Sequence, residues 1–506
     1  MSETIINLNT HVPENVSRVT SLLVDAGFEA YLVGGCVRDM IMNREPNDWD
    51  ITTNAVPENI VKLFEEAGER VVYENSFGTV AIVFEDEEAD SPTRVVEITP
   101  YRTEGVYTDN RRPDVVAFAD TLAEDLSRRD FTCNALAYDP VSQTLVDNYD
   151  GIADIQASVL RAVGSAKERL SEDALRIMRA VRFSAQLELT LADDMMQAMR
   201  ETSHLLENIS WERIRDEFTK LIMSKNIYSG LNLMKDVGII EYVIPELAEG
   251  IGIDQNRSHV FTVWEHNIRA GQTAAEQDWP LHIRLAGLFH DCGKPATKRF
   301  DKQQQVTTFY GHEVVGARMV KGFLKRLKYP KDLSELVVKL VRYHMFFSDP
   351  EKITLSAVRR MIRNVGKEHI WDLMNVRRCD RIGMGRPKAA PYRLRMYESM
   401  IDEALRDPVD VKMLKLNGDI MINEMDMKPG REMGWILHAL LEEVLDDPTR
   451  NTREYLEQKA REFEKLDRET LQELGEKGKE TQQEADEAAV KHLRNKHKVK
   501  FEGKSE

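Results

Sequence analysis

The sequence predicts an α+β fold, in which a mixed α/β amino-terminal region is followed by regions that are entirely helical. Short apolar runs, separated by Gly, Asn and acidic residues, fill residues 1–135, as is typical of strands and their turns. From about residue 136 the apolar residues recur mostly at helical spacing. With 506 residues, 42% of them hydrophobic, the chain can form several domains that each bury a core.

Four strands are expected in the amino-terminal region, because each run is apolar and bounded by turn residues. In chain order they are residues 31–33, 71–73, 79–84 and 94–99. Further along, breaks rich in Pro, Gly and Asp indicate domain boundaries near 245–257, 383–391 and 407–410.

The charge distribution places one basic block within an acidic chain. The formal net charge of −17 excludes an overall cationic surface for nucleic acid. Residues 292–395 nevertheless contain 24 Lys and Arg against 9 Asp and Glu. Such a block fits local contacts with RNA phosphates, and it fits equally a set of solvated helix faces.

The cysteine content and the hydropathy pattern indicate the cellular compartment in which the protein is expected. Four cysteines in 506 residues do not make a disulfide framework, which indicates a reducing, intracellular setting. No run approaches the roughly 18 consecutive apolar residues of a membrane span, and no signal-peptide pattern is found near the start. We therefore expect a soluble, cytoplasmic protein with no membrane partner.

A glycine pair and a carboxylate pair predict a phosphate and metal site in the amino-terminal region. Gly34 and Gly35 join a strand to a helix start, where the backbone N–H groups can meet a phosphate. Asp48 and Asp50 are two residues apart, so on a strand their carboxylates share a face and repel unless a cation binds them. Mg²⁺ prefers such oxygen ligands, and Glu97 is the candidate third carboxylate. Each motif alone also fits an ordinary turn; their combination favours the metal site.

Two further polar segments extend this set. Residues 128–135 have the sequence RRDFTCNA and lead into an apolar run. Residues 172–183 are predicted to form one helix, on which Asp173 and Arg176 are neighbours on the same face. This pair offers an acceptor and forked donors to the edge of a base; the alternative is an ordinary ion pair on a helix surface.

Together the motifs resemble those of the class II tRNA nucleotidyltransferases, the CCA-adding enzymes related to bacterial poly(A) polymerases. The motifs follow the family's order: LVGGCVRD at 32–39, DWD at 48–50, RRDFTCNA at 128–135, YDGIAD at 149–154 and EDALR at 172–176. The resemblance is strong over about 28–220 and resumes weakly at 410–465. There NGD at 417–419, PG at 429–430 and DP at 447–448 are similar to the tRNA-binding tail of longer members.

The resemblance implies a role for each of these residues. The catalytic carboxylates would be Asp48, Asp50 and Glu97, with the two aspartates holding Mg²⁺. The nucleotide-binding residues would be Gly34, Gly35, Arg38, Arg129, Asp130, Asn134, Asp173, Arg176, Arg179 and Arg182. Of these, Asp173 and Arg176 would select CTP and then ATP. The residues Asp150 and Gly151 would form a hinge after the first region.

A second set of metal-suited residues lies in the middle of the chain. The segment LAGLFHDCGK at 285–294 resembles the HD superfamily of metal-dependent phosphohydrolases. His and Asp suit a divalent transition metal better than Mg²⁺. The implied metal site, on predicted helices, comprises His266, His290, Asp291, His312, His344 and Asp380. Two uses of this metal stay open: hydrolysis of phosphoesters, or binding and stabilisation alone.

The implied activity is the addition of CCA to the 3′ end of tRNA from CTP and ATP, without a nucleic-acid template, by two-metal nucleotidyl transfer. A poly(A) polymerase and an enzyme that adds only CC or only A are alternatives. Residues 104–114, interpreted as a mobile loop that helps the switch from C to A, weigh against the CC-only alternative. An HD phosphohydrolase or nucleotide-sensing module with an inactive head is a third alternative, against which the intact Asp48 and Asp50 weigh. No DNA partner is expected.

Six regions are expected along the chain on this interpretation. They are a nucleotidyltransferase head (1–135), a neck for nucleotide selection (136–200), an RNA-binding helical body (201–255), a metal-binding HD region (256–400), a tRNA-binding helical tail (401–467) and a charged extension expected to be disordered (468–506).

Overall fold

The computed structural model describes residues 3–5, 8–73, 78–104, 116–255, 260–346, 353–385, 392–406, 411 and 414–496. The chain divides into two compact units. The first unit comprises Met1–Asp254, Thr262–Leu288 and Met319–Ser334, and the second comprises Gln255–Phe261, Phe289–Arg318 and Glu335–Glu506. The boundaries of the six expected regions stay predictions.

An eight-stranded mixed sheet dominates the amino-terminal part of the first unit. The strands of the described residues are β1 (Glu3–Ile5), β2 (Ala30–Val33), β3 (Trp49–Thr53), β4 (Arg70–Tyr73), β5 (Val80–Val83), β6 (Val95–Pro100), β7 (Arg102–Glu104), β8 (Val116–Phe118), β9 (Leu136–Asp139), β10 (Thr144–Asp147), β11 (Val159–Leu160), β12 (Thr190–Leu191), β13 (Arg299–Asp301) and β14 (Val306–Thr308). The sheet order is β1-β10-β9-β2-β3-β6-β5-β4. Only the central β3–β6 pair of this sheet is parallel in the part of the chain described.

Helices account for most of the remaining described chain. The α-helices among the described residues are α1 (Glu14–Asp25), α2 (Gly35–Ile41), α3 (Pro57–Glu66), α4 (Leu122–Ser127), α5 (Gly151–Gln156), α6 (Ala166–Glu172), α7 (Leu175–Leu187), α8 (Asp193–Thr202), α9 (Trp211–Ile222), α10 (Ile227–Asp236), α11 (Ile240–Val243), α12 (Pro245–Ala248), α13 (Val263–Glu276), α14 (Leu281–Phe289), α15 (Lys294–Thr297), α16 (His312–Arg326), α17 (Lys331–Tyr343), α18 (Leu355–Val365), α19 (Ile370–Gly383), α20 (Tyr392–Arg406), α21 (Gly418–Asn423), α22 (Arg431–Asp446), α23 (Arg453–Glu464) and α24 (Arg468–Lys496). No helix in the described ranges is both long and apolar enough to cross a membrane.

Local sequence explains where the elements near the site begin. Gly34 adopts φ +75°, a conformation that favours glycine, and ends β2 directly before α2. Thr121 caps α4 in a reciprocal capping box with Glu124. Asp150 lies in the left-handed region, and a Cβ on Gly151 would stand 2.3 Å from the carbonyl oxygen of Thr132, so the YDG turn requires this glycine.

The four predicted strands are confirmed, and most of their ends are shifted by one residue. Two other predictions of local structure are wrong. Residues 136–147 were expected to follow the helical pattern, yet β9 and β10 extend the eight-stranded sheet. Apolar runs this short fit a strand or a helix equally well, and the pairing of β9 with β2 and β10 makes them strands. The single helix expected over 172–183 is interrupted: α6 ends at Glu172, Asp173 is extended, and α7 begins at Leu175.

The disorder expected for 468–506 is wrong for the residues that form α24. This helix packs against α22 so closely that a Cβ on Gly475 would stand 2.6 Å from that of Trp435, and one on Gly478 would stand 2.3 Å from the carbonyl oxygen of His438. The charged composition suggested a solvated segment, whereas two glycines on one helix face allow close packing instead. Residues 497–506 lie outside the described range.

Candidate active site

Three carboxylates meet where β3 and β6 run side by side. The register of this parallel pair sets Asp50 directly opposite Glu97. Opposed residues on neighbouring strands project from the same face of a sheet. Asp48 lies one residue before β3, two residues from Asp50. The sequence predicted a strand face shared by Asp48 and Asp50, with Glu97 as the third carboxylate. In the fold Asp50 and Glu97 share the face, and Asp48 precedes the strand.

The electrostatics of this trio favour a bound cation. Burial, together with the charges of Asp48 and Glu97, raises the pKa of Asp50 to about 7. Arg129 and Arg102 oppose this shift only in part. Carboxylates that repel one another in this way are the kind of oxygen donor set that a divalent cation stabilises. The residues present therefore fit a divalent metal ion.

The glycine pair leaves space directly beside the carboxylates. A Cβ on Gly34 would stand 3.0 Å from Nη1 of Arg129 and 4.0 Å from Oδ2 of Asp50. A Cβ on Gly35 would stand 3.7 Å from Oδ1 of Asp48. Because α2 begins at Gly35, backbone N–H groups at the start of this helix border the same space, where a phosphate can be accommodated.

A buried hydrogen-bonded chain links four of the predicted nucleotide-binding residues. Nη1 of Arg38 donates to Oδ1 of Asn134 at 2.7 Å, and Nδ2 of Asn134 donates to Oδ1 of Asp130 at 3.1 Å. Nε of Arg179 donates to Oδ2 of Asp130 at 2.7 Å. Burial disfavours the charged form of Asp130, but Arg179 and the Asn134 amide outweigh it and lower the pKa of Asp130 to about 2. Asp130 is therefore an anion that fixes Arg179 in place.

Asp125, on α4, is a site residue that sequence analysis missed. Its fully buried carboxylate accepts from Nη2 of Arg128 at 2.7 Å and from Nη2 of Arg129 at 3.0 Å. Although burial acts in the opposite direction, the charges of Arg129 and Arg128 hold the pKa of Asp125 below its usual range. An Asp three and four residues before two arginines on a short helix was the available signal.

Asp173 and Arg176 face the cleft with partners that differ from the expected helical pair. Oδ2 of Asp173 accepts from Nη2 of Arg213, on α9, at 2.6 Å. Nη1 of Arg176 donates to Glu172 at 2.5 Å and to the carbonyl oxygen of Arg169 at 2.9 Å. Asp173 lies in the break between α6 and α7, so these partners, rather than helical spacing, orient the two side chains.

The arginines of α7 make two further sets of contacts, one with α9 and one with the ring of Phe183, which lies on α7 itself. Glu217 of α9, which is buried, accepts from Nε of Arg182 at 2.6 Å. The guanidinium of Arg182 lies 4.0 Å from the centre of the Phe183 ring, and those of Arg38 and Arg179 lie 5.1 and 5.3 Å away. Arg213 and Glu217 were not predicted from the sequence, because they lie on α9, distant from α7 in the chain. Phe183 was not predicted either, although it is next to Arg182 on α7.

All thirteen predicted catalytic and nucleotide-binding residues line one cleft of about 760 Å³ within the first unit. A volume of this order suits a ligand of nucleotide size. The cleft combines the carboxylate trio with arginines anchored by buried acids. It can therefore hold a metal ion together with a polyphosphate and present Asp173 and Arg176 to a base. The predicted loop at 104–114 lies outside the described residues, except for Glu104 at the end of β7.

In the second unit, Asp291 is approached by two histidines. Oδ1 of Asp291 lies 3.1 Å from Nε2 of His312 and 3.6 Å from Nε2 of His344. The other ring nitrogens, Nδ1, are within hydrogen-bond distance of backbone carbonyl oxygens, 2.8 Å from Phe309 and 2.7 Å from Val341. A carbonyl on Nδ1 fixes the ring so that Nε2 can serve as a metal ligand.

His290 lies against the carboxylates of both Asp291 and Asp380. Nε2 of His290 is 3.3 Å from Oδ2 of Asp291 and 3.6 Å from Oδ1 of Asp380. Burial opposes a charged imidazole, yet the two carboxylates outweigh it and raise the pKa of His290 to about 10. Burial instead lowers the pKa of His344, which favours the neutral form that binds metals.

The expectation that all six HD residues lie on helices is correct for three of them. Those three are His266 on α13, His312 at the start of α16 and Asp380 on α19. It is wrong for His290 and Asp291, which lie in the turn after α14, and for His344, which follows α17. Turns after helices let adjacent residues converge. His266 is buried in the first unit, and its part in a metal site stays a prediction.

Three family models match successive parts of the chain. Residues 30–161 match the one described as "Poly A polymerase head domain", and residues 188–251 match "Probable RNA and SrmB- binding site of polymerase A". Residues 259–381 match "HD domain". The first match contains the carboxylate trio, and the last contains the His and Asp cluster.

Known proteins extend this similarity to most of the chain. The CCA-adding enzyme of Lactobacillus helveticus is 31% identical over 444 residues, which cover 87% of this chain and 94% of that protein. The CCA-adding enzyme of Lactobacillus johnsonii is 45% identical over 219 residues, 43% of this chain and about half, 52%, of that protein. The crystal structure of the Bacillus stearothermophilus CCA-adding enzyme in complex with CTP has the same fold, with 24% identity and a TM-score of 0.61 over 89% of this chain and 96% of that one. The chain therefore belongs to the family of CCA-adding enzymes, which are tRNA nucleotidyltransferases.

Proposed function

We propose that this protein adds CCA to the 3′ ends of tRNA from CTP and ATP, with Asp48, Asp50 and Glu97 as its catalytic carboxylates. The observation that carries the proposal is the register of β3 and β6, which sets Asp50 against Glu97 beside the glycine pair. The relative solved with CTP, and the relatives named for CCA addition, support CTP and tRNA as substrates.

Different residues of the chain would bind the metal, the triphosphate and the base. Asp48 and Asp50, with Glu97, would hold Mg²⁺, which activates the attacking 3′ hydroxyl and stabilises the leaving pyrophosphate when bound. Arg129, fixed by Asp125, lies beside Gly34 where the triphosphate would contact it. Arg38, Asn134, Asp130 and Arg179 would keep the sugar and phosphates in place. Asp173 and Arg176 would offer hydrogen bonds to the base edge.

The direct test is incorporation of labelled CTP into tRNA that lacks its CCA end. Incorporation is expected to require a divalent ion, so that excess EDTA abolishes it and added Mg²⁺ restores it, because the carboxylates cannot supply the positive charge themselves. EDTA-treated protein should still bind tRNA in a filter assay, which controls for unfolding. Incorporation that persists in EDTA would contradict the proposal.

The basic block at 292–395 is proposed to contribute phosphate contacts through exposed arginines on α18. Arg360→Glu with Arg363→Glu should weaken tRNA binding and flatten its dependence on salt, by about 0.9 of a log unit of slope for each phosphate that is no longer bound. Both side chains are exposed. Binding isotherms at several salt concentrations measure this slope, and an unchanged slope would show that this face is only solvated.

We expect a different effect from replacing Arg359, which is in the same block. It is buried and makes a two-pronged ion pair with Asp486 of α24, at 2.8 Å for both contacts. Its replacement removes a buried pair, so we expect it to lower stability and to leave the salt slope of tRNA binding unchanged. Arg359→Ala is thus the control for the exposed pair.

We further propose a divalent transition metal at Asp291, His312 and His344, with His290 and Asp380 beside them and His266 as a further candidate. The two imidazole Nε2 atoms directed at Asp291 favour this second site. His290→Ala or Asp291→Ala should remove the metal, measured by elemental analysis, and any phosphatase or phosphodiesterase activity. CCA addition should survive, as it should in His204→Ala, which changes an exposed histidine.

Two results would contradict this second proposal. One is wild-type protein, purified without chelators, that holds no metal and hydrolyses no phosphoester with added Ni²⁺, Mn²⁺ or Co²⁺. The other is joint loss of CCA addition and thermal stability in His290→Ala, which would show that the metal holds the fold together and has no separate activity.

A further inference from the structure

Exposed aromatic side chains lie on and directly after the hairpin β13–β14 of the second unit. The hairpin lies between Asp291 and His312 in the chain. Phe300, on β13, is 59% exposed, and Tyr310, two residues before His312, is 81% exposed. Met345, which follows His344 directly, is 53% exposed. Single exposed apolar residues are common, but Tyr310 and Met345 are each within two residues of a buried histidine of the cluster, and Phe300 lies on the hairpin that leads to His312.

Tyr310 is held in place relative to the cluster. Its neighbour Phe309 is buried, and the carbonyl oxygen of Phe309 lies 2.8 Å from Nδ1 of His312. Lys294 connects Phe309 to the cluster, because its Nζ is 2.5 Å from Oδ2 of Asp291 and 5.8 Å from the centre of the Phe309 ring. The backbone on either side of Tyr310 is therefore anchored, while the Tyr310 ring itself projects into solvent.

The charges of the hairpin complement a polyanion. Lys298, Arg299 and Lys302 are exposed on and beside β13. The one acidic residue of the hairpin, Asp301, is used within the turn, where its Oδ1 accepts from the backbone N–H groups of Gln303 and Gln304 at 2.8 and 3.0 Å. Cationic side chains interleaved with exposed aromatic rings are the combination with which proteins bind single-stranded nucleic acid.

We propose that the β13–β14 hairpin and Tyr310 bind single-stranded RNA, with bases stacked on Phe300 and Tyr310 and with phosphates on Lys298, Arg299 and Lys302. Unpaired bases are required, because a base within a duplex does not offer its face to a side chain. Stacking is tolerant of sequence, since every base has an aromatic face. This site is separate from the CTP and tRNA cleft proposed above, which lies in the first unit.

The test uses the full chain and a five-nucleotide oligoribonucleotide that contains 2-aminopurine, whose fluorescence falls when the base stacks. Phe300→Ala with Tyr310→Ala should weaken binding on the order of 10-fold for each base that can no longer stack and should abolish the fluorescence change. Phe300→Tyr with Tyr310→Phe should retain both. Lys298→Glu with Arg299→Glu should reduce the salt slope by roughly 0.7 for each phosphate contact.

Tyr392→Ala is the matched control, because it removes another exposed aromatic ring of the second unit. It should bind like the wild type. Unchanged affinity and fluorescence in the Phe300/Tyr310 alanine variant would overturn the proposal, as would equal loss in Tyr392→Ala or equal affinity for a duplex of the same length. CTP incorporation by the Phe300/Tyr310 alanine variant and by Tyr392→Ala should be normal. Absence of incorporation in the wild type would overturn the proposed function and leave this binding result standing on its own.

Discussion

Asp48→Ala and Asp50→Ala are each expected to lower nucleotide addition by about 10³-fold or more, because either change breaks up the carboxylate set that would hold the metal. Binding of tRNA should stay close to that of the wild type, since neither aspartate supplies positive charge to a tRNA phosphate. Incorporation of labelled CTP under single-turnover conditions measures the first effect, and filter binding measures the second.

Asp86→Ala is the matched control for these two variants. Asp86 is an exposed aspartate of the same region that does not line the cleft. It should add nucleotides at the wild-type rate. Normal incorporation by Asp48→Ala or Asp50→Ala would show that the trio at β3 and β6 is not the catalytic centre.

Asp173→Ala and Arg176→Ala are expected to blur the choice among CTP, ATP, UTP and GTP more than they lower total incorporation. A pocket that forms hydrogen bonds with the right base rejects a wrong one by leaving its own polar groups unpaired, which is worth roughly 10- to 150-fold in discrimination. The measurement is kcat/KM for each of the four triphosphates on the same tRNA.

The contacts of the two residues supply the control for this prediction. Arg213 binds Asp173 from α9, so Arg213→Lys should keep a charge there and perturb selectivity less than Asp173→Ala. If Asp173→Ala and Arg176→Ala slow all four triphosphates equally with selectivity unchanged, the pair positions the nucleotide and does not read its base.

The proximity of Asp48 and Asp50 could be predicted because it depends on short-range geometry, whereas Glu97 joins them through the pairing of β3 with β6. Asp48 and Asp50 are two residues apart, and alternation along a strand is a property of the backbone alone. Glu97 stood out as the acidic residue of an apolar strand, between the buried Val96 and Ile98. The glycine pair was predictable for the same reason, since φ +75° at Gly34 is a local requirement.

What the sequence could not provide depends on tertiary contacts. Arg213 and Glu217 join the site because α9 packs beside it, and no local pattern encodes that packing. No Gly or Pro marks the break at Asp173, so helical spacing alone predicted one continuous helix across it. The turn at His290 and Asp291 was not predicted for a related reason: the apolar run before it has helical spacing and gives no sign of where the helix ends.

The product formed on tRNA lacking its CCA end tests the central claim most directly, when purified protein is given CTP, ATP or both and the product is resolved nucleotide by nucleotide and sequenced. The proposed function predicts two additions with CTP alone, three with both triphosphates in the order C, C, A, and then arrest. A long adenosine tract with ATP alone would identify a poly(A) polymerase, and arrest after CC or addition of A only to ends that already carry CC would identify a partial enzyme. Either product, or no addition at all, would contradict the account.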